Sequence, residues 1–246
     1  MKAMRQYIEI IRKTLDQVEK TQGEAMERAA RALADASLAG HNLFIFGCNH
    51  AGLLAQEMYY RTGGMVTINP IFAPGMGLDV RPVTMTSRME RMNDYGRVIV
   101  DAHPIGQGDV LMVHSVSGRN SVTVDAALRA KEKGVYVIAL TNLATSTSVC
   151  SRHRSGMKLY QVADLVLDNC GCVGDAALIL NEEAPHIAAT STAVGAAMLN
   201  AIMAQAVGYI VEAGQMAPVF RSANLDGGDA YNERVLNAYK DHIFYM

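Results

Sequence analysis

Apolar and polar positions fall into blocks along this chain, and the period of the blocks changes near residue 40. Over 4–39 the apolar residues Ile8, Ile11, Leu15 and Val18 recur at spacings of three and four, which predicts one or two amphipathic helices. Gly40 and Asn42 close that stretch. Beyond it, short apolar runs at 42–46, 65–72, 109–113, 135–140 and 163–167 predict five strands. Between them, 51–62 reads as a helix stopped by Gly63 and Gly64, 88–101 as a mixed, mainly helical stretch, and 121–133 as a helix stopped by Gly134.

Strands alternating with helices imply right-handed crossovers, so the fold class is α/β, with a parallel sheet covered on both faces. Ligands of such sheets bind beyond the carboxyl ends of the strands, where the strand order reverses. The loops at those ends are 47–52, 74–90, 114–120, 141–148 and 169–175, and they are expected to converge. The stretch 74–91 carries Gly75, Gly77, Thr84, Thr86 and Ser87, and suits either a mobile lid or an ordinary surface loop.

One of these loops has anion chemistry. The apolar run ending at Val113 leads into His114-Ser115-Val116-Ser117-Gly118-Arg119-Asn120, and a helix follows. Two hydroxyls, a glycine and free backbone N–H groups then lie at the positive end of a helix dipole, which is a phosphate cradle. Arg119 is either an anion partner or an exposed residue of the helix start. A cation there opposes the helix dipole.

Composition narrows the classes. The chain has 246 residues, 50% of them hydrophobic, enough for one large core or at most two. Its 22 Lys and Arg against 24 Asp and Glu form no basic run, so nucleic acid is not an expected partner. The charged, amphipathic start has no apolar signal core, and four cysteines without framework spacing suggest a reducing, cytoplasmic setting. The 15 methionines read as core filler. Residues 184–211 lack Asp, Glu, Lys and Arg, yet carry His186, Thr190, Asn200 and Gln205. They predict a helix buried in a core or subunit interface rather than a membrane span.

From Ser115-Val116-Ser117-Gly118 onward the sequence resembles the SIS (sugar isomerase) domain family. Thr141-Asn142, Ala163 to Leu167 and Thr190-Ser191-Thr192 fit the next elements of that family. A subgroup of stand-alone, phosphoheptose-isomerase-like SIS proteins is closer. The stretches carrying that likeness include Tyr60-Arg61-Thr62-Gly63-Gly64, Ser151-Arg152-His153, Asp168-Asn169-Cys170-Gly171, Gly174-Asp175-Ala176 and Ser222-Ala223-Asn224-Leu225-Asp226-Gly227-Gly228-Asp229. The resemblance implies a three-layer sandwich around a five-stranded, flavodoxin-like parallel sheet over 40–246. The helical segment 1–39 would pack on that domain or on a dimer interface. It also implies a sugar-phosphate ligand and a homodimer or homotetramer. One position departs from the pattern: the first loop reads Gly47-Cys48-Asn49-His50-Ala51-Gly52, with Ala51 where the family has a serine and Asn49 where it has a glycine. Asn49 or His50 would then replace the missing hydroxyl.

The expected binding residues are Asn49, His50, Ser115, Ser117, Gly118, Arg119, Asn120, Ser191 and Thr192. The expected activity is aldose–ketose isomerisation of a sugar phosphate through an enediol, which needs a base and a ring-opening acid. The family's catalytic Glu position, five before the Ser of the Ser-Thr pair, is His186 here, and Glu57 and Glu90 are further candidates. A non-catalytic phosphosugar sensor and a lyase or etherase are the alternatives. Cys170-Gly171-Cys172 lacks zinc-site spacing, and no phosphate-loop or dinucleotide fingerprint follows a strand, so neither metal nor cofactor is expected.

Overall fold

The protein is described by a computed structural model covering residues 2–246. A single helix, α1 (Lys2–Leu38), leads into β1 (Leu43–Gly47), a short 3-10 turn (Asn49–Gly52) and α2 (Leu53–Met58). Then follow β2 (Ile68–Ile71), α3 (Thr84–Met89), α4 (Tyr95–Asp101), β3 (Val110–His114) and α5 (Ser121–Glu132). The chain continues through β4 (Tyr136–Thr141), α6 (Leu143–Ser148), α7 (Leu159–Val162) and β5 (Leu165–Asp168). A hairpin of β6 (Ala176–Leu178) and β7 (Ile187–Ala189) precedes α8 (Ser191–Glu212) and α9 (Gly228–Ala238).

The five main strands are parallel in the order β2-β1-β3-β4-β5. Side chains alternate across a pleated strand, so β1 sends Leu43 and Ile45 to one face and Phe44 and Phe46 to the other, all buried. Both faces being covered is why these strands read as continuous apolar runs. One layer joins α1, α2 and α8 through Leu33, Leu54, Met198 and Ile202. The opposite layer joins α4 and α5 through Ile99, Val122 and Ala126. The sheet's β2 edge is closed by the C-terminus: Phe244 stacks on Phe44 and its amide donates to Asn69 Oδ1 over 2.7 Å.

Three expectations shift. The second strand is shorter than 65–72, because Met65 instead bridges antiparallel to Val219. The helix expected over 51–62 shortens to α2, since Tyr59 is extended and Tyr60 has a positive φ of 44°. Residues 184–190 are not helical: they form a loop and β7, and α8 begins only at Ser191. By length and composition α8 could cross a membrane, but here it packs on α1 and α2, burying Val194, Met198, Ile202 and Ile210.

Candidate functional site

The strand order reverses between β1 and β3, so the crevice lies between the loop after Gly47 and the turn after His114. Gly47 permits the first loop to fold back: a Cβ there would lie 2.6 Å from the Ala51 carbonyl oxygen. Asn49, at φ 55°, donates its amide to Met76 O over 2.8 Å, fastening the first loop to the segment after β2. His114 binds Ala51 O through Nδ1 at 3.0 Å and is fully buried. Nδ1 therefore carries the proton and Nε2 is left without a partner. Burial pushes this imidazole down to about 4, against the pull of the Ala51 carbonyl and the Asp175 charge.

The serine turn is held from behind. Thr141 donates its hydroxyl to Ser115 O at 2.7 Å, and the Asn142 amide donates to Val116 O at 3.1 Å. Ser115 Oγ accepts from the Gly118 amide at 3.2 Å. Gly118 sits at φ 57° and its carbonyl accepts from the Leu159 amide. The amides of Ser117, Arg119 and Asn120 meet no acceptor among the described residues. Ser117 is half-buried at the opening.

Charge concentrates beside this turn. Glu90 accepts from Asn49 Nδ2 at 3.0 Å. Its own carbonyl accepts from the Val122 amide in the first turn of α5. Arg152 donates to Asn120 Oδ1 at 2.9 Å, and its amide donates to the Arg119 carbonyl at 2.8 Å. Burial raises the Glu90 carboxyl above its ordinary value, opposed by Asn49, Asn120 and the charges of Arg91 and Arg152. The Cys48 thiol is pushed well up, by burial first and the Glu90 charge second.

A cavity of about 1060 Å³ opens from Asn49 along α2, lined also by Glu57, Tyr60, Phe72 and Gly75. Glu57 accepts from Asn200 Nδ2 of α8 at 3.2 Å and pairs with Arg61 one helical turn on. Asn200, a polar residue of the mainly apolar α8, is brought to Glu57 only by the packing of α8 on α2.

The α8 start differs from the α5 start. Asp175 accepts from the amides of Thr190 at 3.1 Å and Ser191 at 2.8 Å, and from the Ser191 hydroxyl at 2.6 Å. The carboxylate thus caps this positive helix end, and Ser191 is engaged internally. Thr192 is half-buried beside it. His50 is exposed on the first loop. His186 is exposed on the hairpin, with Nδ1 3.3 Å from Ala176 O. The structure thus gathers Asn49, Ser115, Ser117, Gly118, Arg119, Asn120 and Glu90 around the β1–β3 crevice, while Glu57 lines the cavity along α2 that Asn49 also borders. Among the described residues no group of His, Cys, Asp and Glu has the arrangement of a metal site.

A family model described as the SIS domain matches residues 6–142. A UPF0309 protein of Shouchella clausii is 46% identical over 246 residues, covering all of both chains. Among solved structures, a phosphoheptose isomerase from Francisella tularensis superposes with a TM-score of 0.54 at 16% identity, covering 82% of this chain and 95% of that one. A phosphoheptose isomerase from Neisseria gonorrhoeae gives 0.51 at 19% identity, covering 85% and 97%. The family match spans more than half of the chain, and the five-stranded 2-1-3-4-5 sheet carries the serine turn at its reversal: the protein belongs to the SIS domain family.

Proposed function

We propose that this protein is a sugar-phosphate isomerase that interconverts an aldose and a ketose. The phosphate is held by the amides of the 115–120 turn and the Ser117 hydroxyl, and the sugar chain runs past Asn49 into the cavity beside α2. The observation that carries this reading is that Asn49 belongs to both places: it bonds Glu90 beside the turn and lines the cavity that holds Glu57.

In this reading Glu57 is the proton carrier. Its carboxylate takes the proton from C2 of the open-chain aldose while the O1 carbonyl gains one, giving a 1,2-enediol. Glu57 then returns its proton to C1 as O2 loses its own, leaving the ketose. Asn200 orients the carboxylate, and Arg61 pairs with it one helical turn on.

The test is NMR in deuterated water with a panel of aldose and ketose phosphates of five to seven carbons. The wild type should incorporate deuterium at C1 or C2 of one member. Glu57→Gln should abolish that exchange while the sugar phosphate still raises Tm. Undiminished exchange in Glu57→Gln removes Glu57 from this role; no exchange with any member overturns the isomerase reading.

A further inference from the structure

Three arginines from separated segments lie beside the serine turn: Arg91, which follows the Glu90 whose carbonyl accepts from the Val122 amide of α5, Arg119 within the turn, and Arg152, whose amide donates to the Arg119 carbonyl. The Arg152 guanidinium is exposed, and its pKa is lowered by desolvation first and then by the charges of Arg119 and Arg91. Arg119 Nε is buried and has no partner among the described residues. The Arg119 carbonyl is bonded by the Arg152 amide, and Asn120 Oδ1 by the Arg152 guanidinium, so the backbones hold the two arginines together. All of this lies at the start of α5, whose positive end adds to the repulsion.

Two other arginines beside α5 are paired bidentately or in a network: Arg97 with Glu132, and Arg129 with both Asp101 and Glu132. Among the described residues, Glu90 is the carboxylate that faces the charges of Arg91 and Arg152, and it also accepts from Asn49. Three positive charges against one negative leave two, the charge of a phosphate monoester dianion near neutral pH. Guanidinium forks also match phosphate geometry better than a hydroxyl does.

We propose that Arg91, Arg119 and Arg152 clamp the ligand's phosphate at the 115–120 turn, supplying the contacts that the chain lacks at Ala51, and that Glu90 is the counter-ion the phosphate displaces. The clamp rests on the phosphate-at-the-turn part of the function proposed above, but not on catalysis. Glu90 in this role balances charge and does not carry the substrate proton. The clamp selects a dianionic phosphate, so binding weakens with salt and as the phosphate monoester dianion takes up a proton at about pH 6 to become a monoanion.

Calorimetric titration with inorganic phosphate tests the clamp without any knowledge of the sugar. Arg152→Gln and Arg91→Gln should each weaken phosphate binding tenfold or more, and Glu90→Gln should tighten it severalfold. Arg154→Gln, which removes a guanidinium paired with Asp94 on the same loop, should leave the Kd unchanged. Far-ultraviolet circular dichroism and Tm establish that each variant is folded. Wild-type affinity in Arg91→Gln and Arg152→Gln, or no phosphate binding by the wild type at 10-millimolar level (about that of a weak site), overturns the clamp. Weakened phosphate binding in the arginine variants alongside a failed deuterium-exchange screen upholds the clamp and overturns only the isomerase.

Discussion

Asn49 donates its side-chain amide to the Glu90 carboxylate over 3.0 Å, joining two loops 41 residues apart in sequence. That bond ties the loop after β1 to the segment after α3 and brings a half-buried carboxylate to the edge of the serine turn. Burial lifts the Glu90 pKa, and the surrounding amides and arginines recover only part of the cost.

Glu90→Gln should therefore stabilise the ligand-free protein at pH 7.5. A carboxyl with a higher pKa folded than unfolded binds more protons in the native state from pH 4.5 up to its raised value, so stability falls as pH rises through that window. Solvent still reaches the group, so the gain should stay below about 1 kcal/mol. Urea midpoints at pH 4.5 and 7.5 measure it; a loss of stability at pH 7.5 would contradict the assignment.

His114 predicts the opposite slope. Its imidazole is neutral when folded down to about pH 4, against an ordinary value of 6.5. The unfolded chain gains a proton across that interval and the native state does not, so stability falls as pH drops from 6.5 towards 4. The full effect is on the order of 3 kcal/mol. His114→Gln should flatten this part of the pH–stability curve.

Gly118→Ala should destabilise the turn itself. The residue sits at φ 57°, and a Cβ would lie 3.1 Å from Leu159 Cβ. The strain should cost about 1–3 kcal/mol and lower phosphate affinity with it. Chemical denaturation beside a phosphate titration checks both; normal stability with normal binding would show that the turn relaxes freely.

Asp175→Ala should uncap α8. Four hydrogen bonds to Thr190 and Ser191 disappear. The loss should be about 1–2 kcal/mol, seen as a lower Tm. An unchanged Tm would mean that water satisfies those groups equally well.

Asn200→Ala should lower kcat for the proposed isomerisation by roughly tenfold to a hundredfold with little change in KM, because it orients Glu57 without holding phosphate. A change confined to KM would place Asn200 in sugar binding instead.

Much of the architecture is legible from local pattern. The stretches 43–46, 110–113 and 135–140 are apolar throughout because both faces of the sheet are covered, and that pattern belongs to the strands themselves. The turn at Ser115–Asn120 is legible for a similar reason: its glycine, hydroxyls and following helix are contiguous. The hairpin β6–β7 is hidden because Ala176, Ala177, Ala188 and Ala189 carry little periodic signal, and 184–190 shares the uncharged composition of α8.

Sequence by itself therefore determined the alternation of strands and helices, the parallel sheet and the place of the serine turn, because each depends on neighbours in the chain. Tertiary structure alone decided which charges meet at that turn. Glu90, Arg119 and Arg152 lie on three segments, and only the docking of the segment after α3 and the loop before α7 onto α5 brings them together. It also decided that Asp175 closes the α8 start while the α5 start stays cationic, since Coulomb and hydrogen-bond energies depend on distance in space and not on separation along the chain.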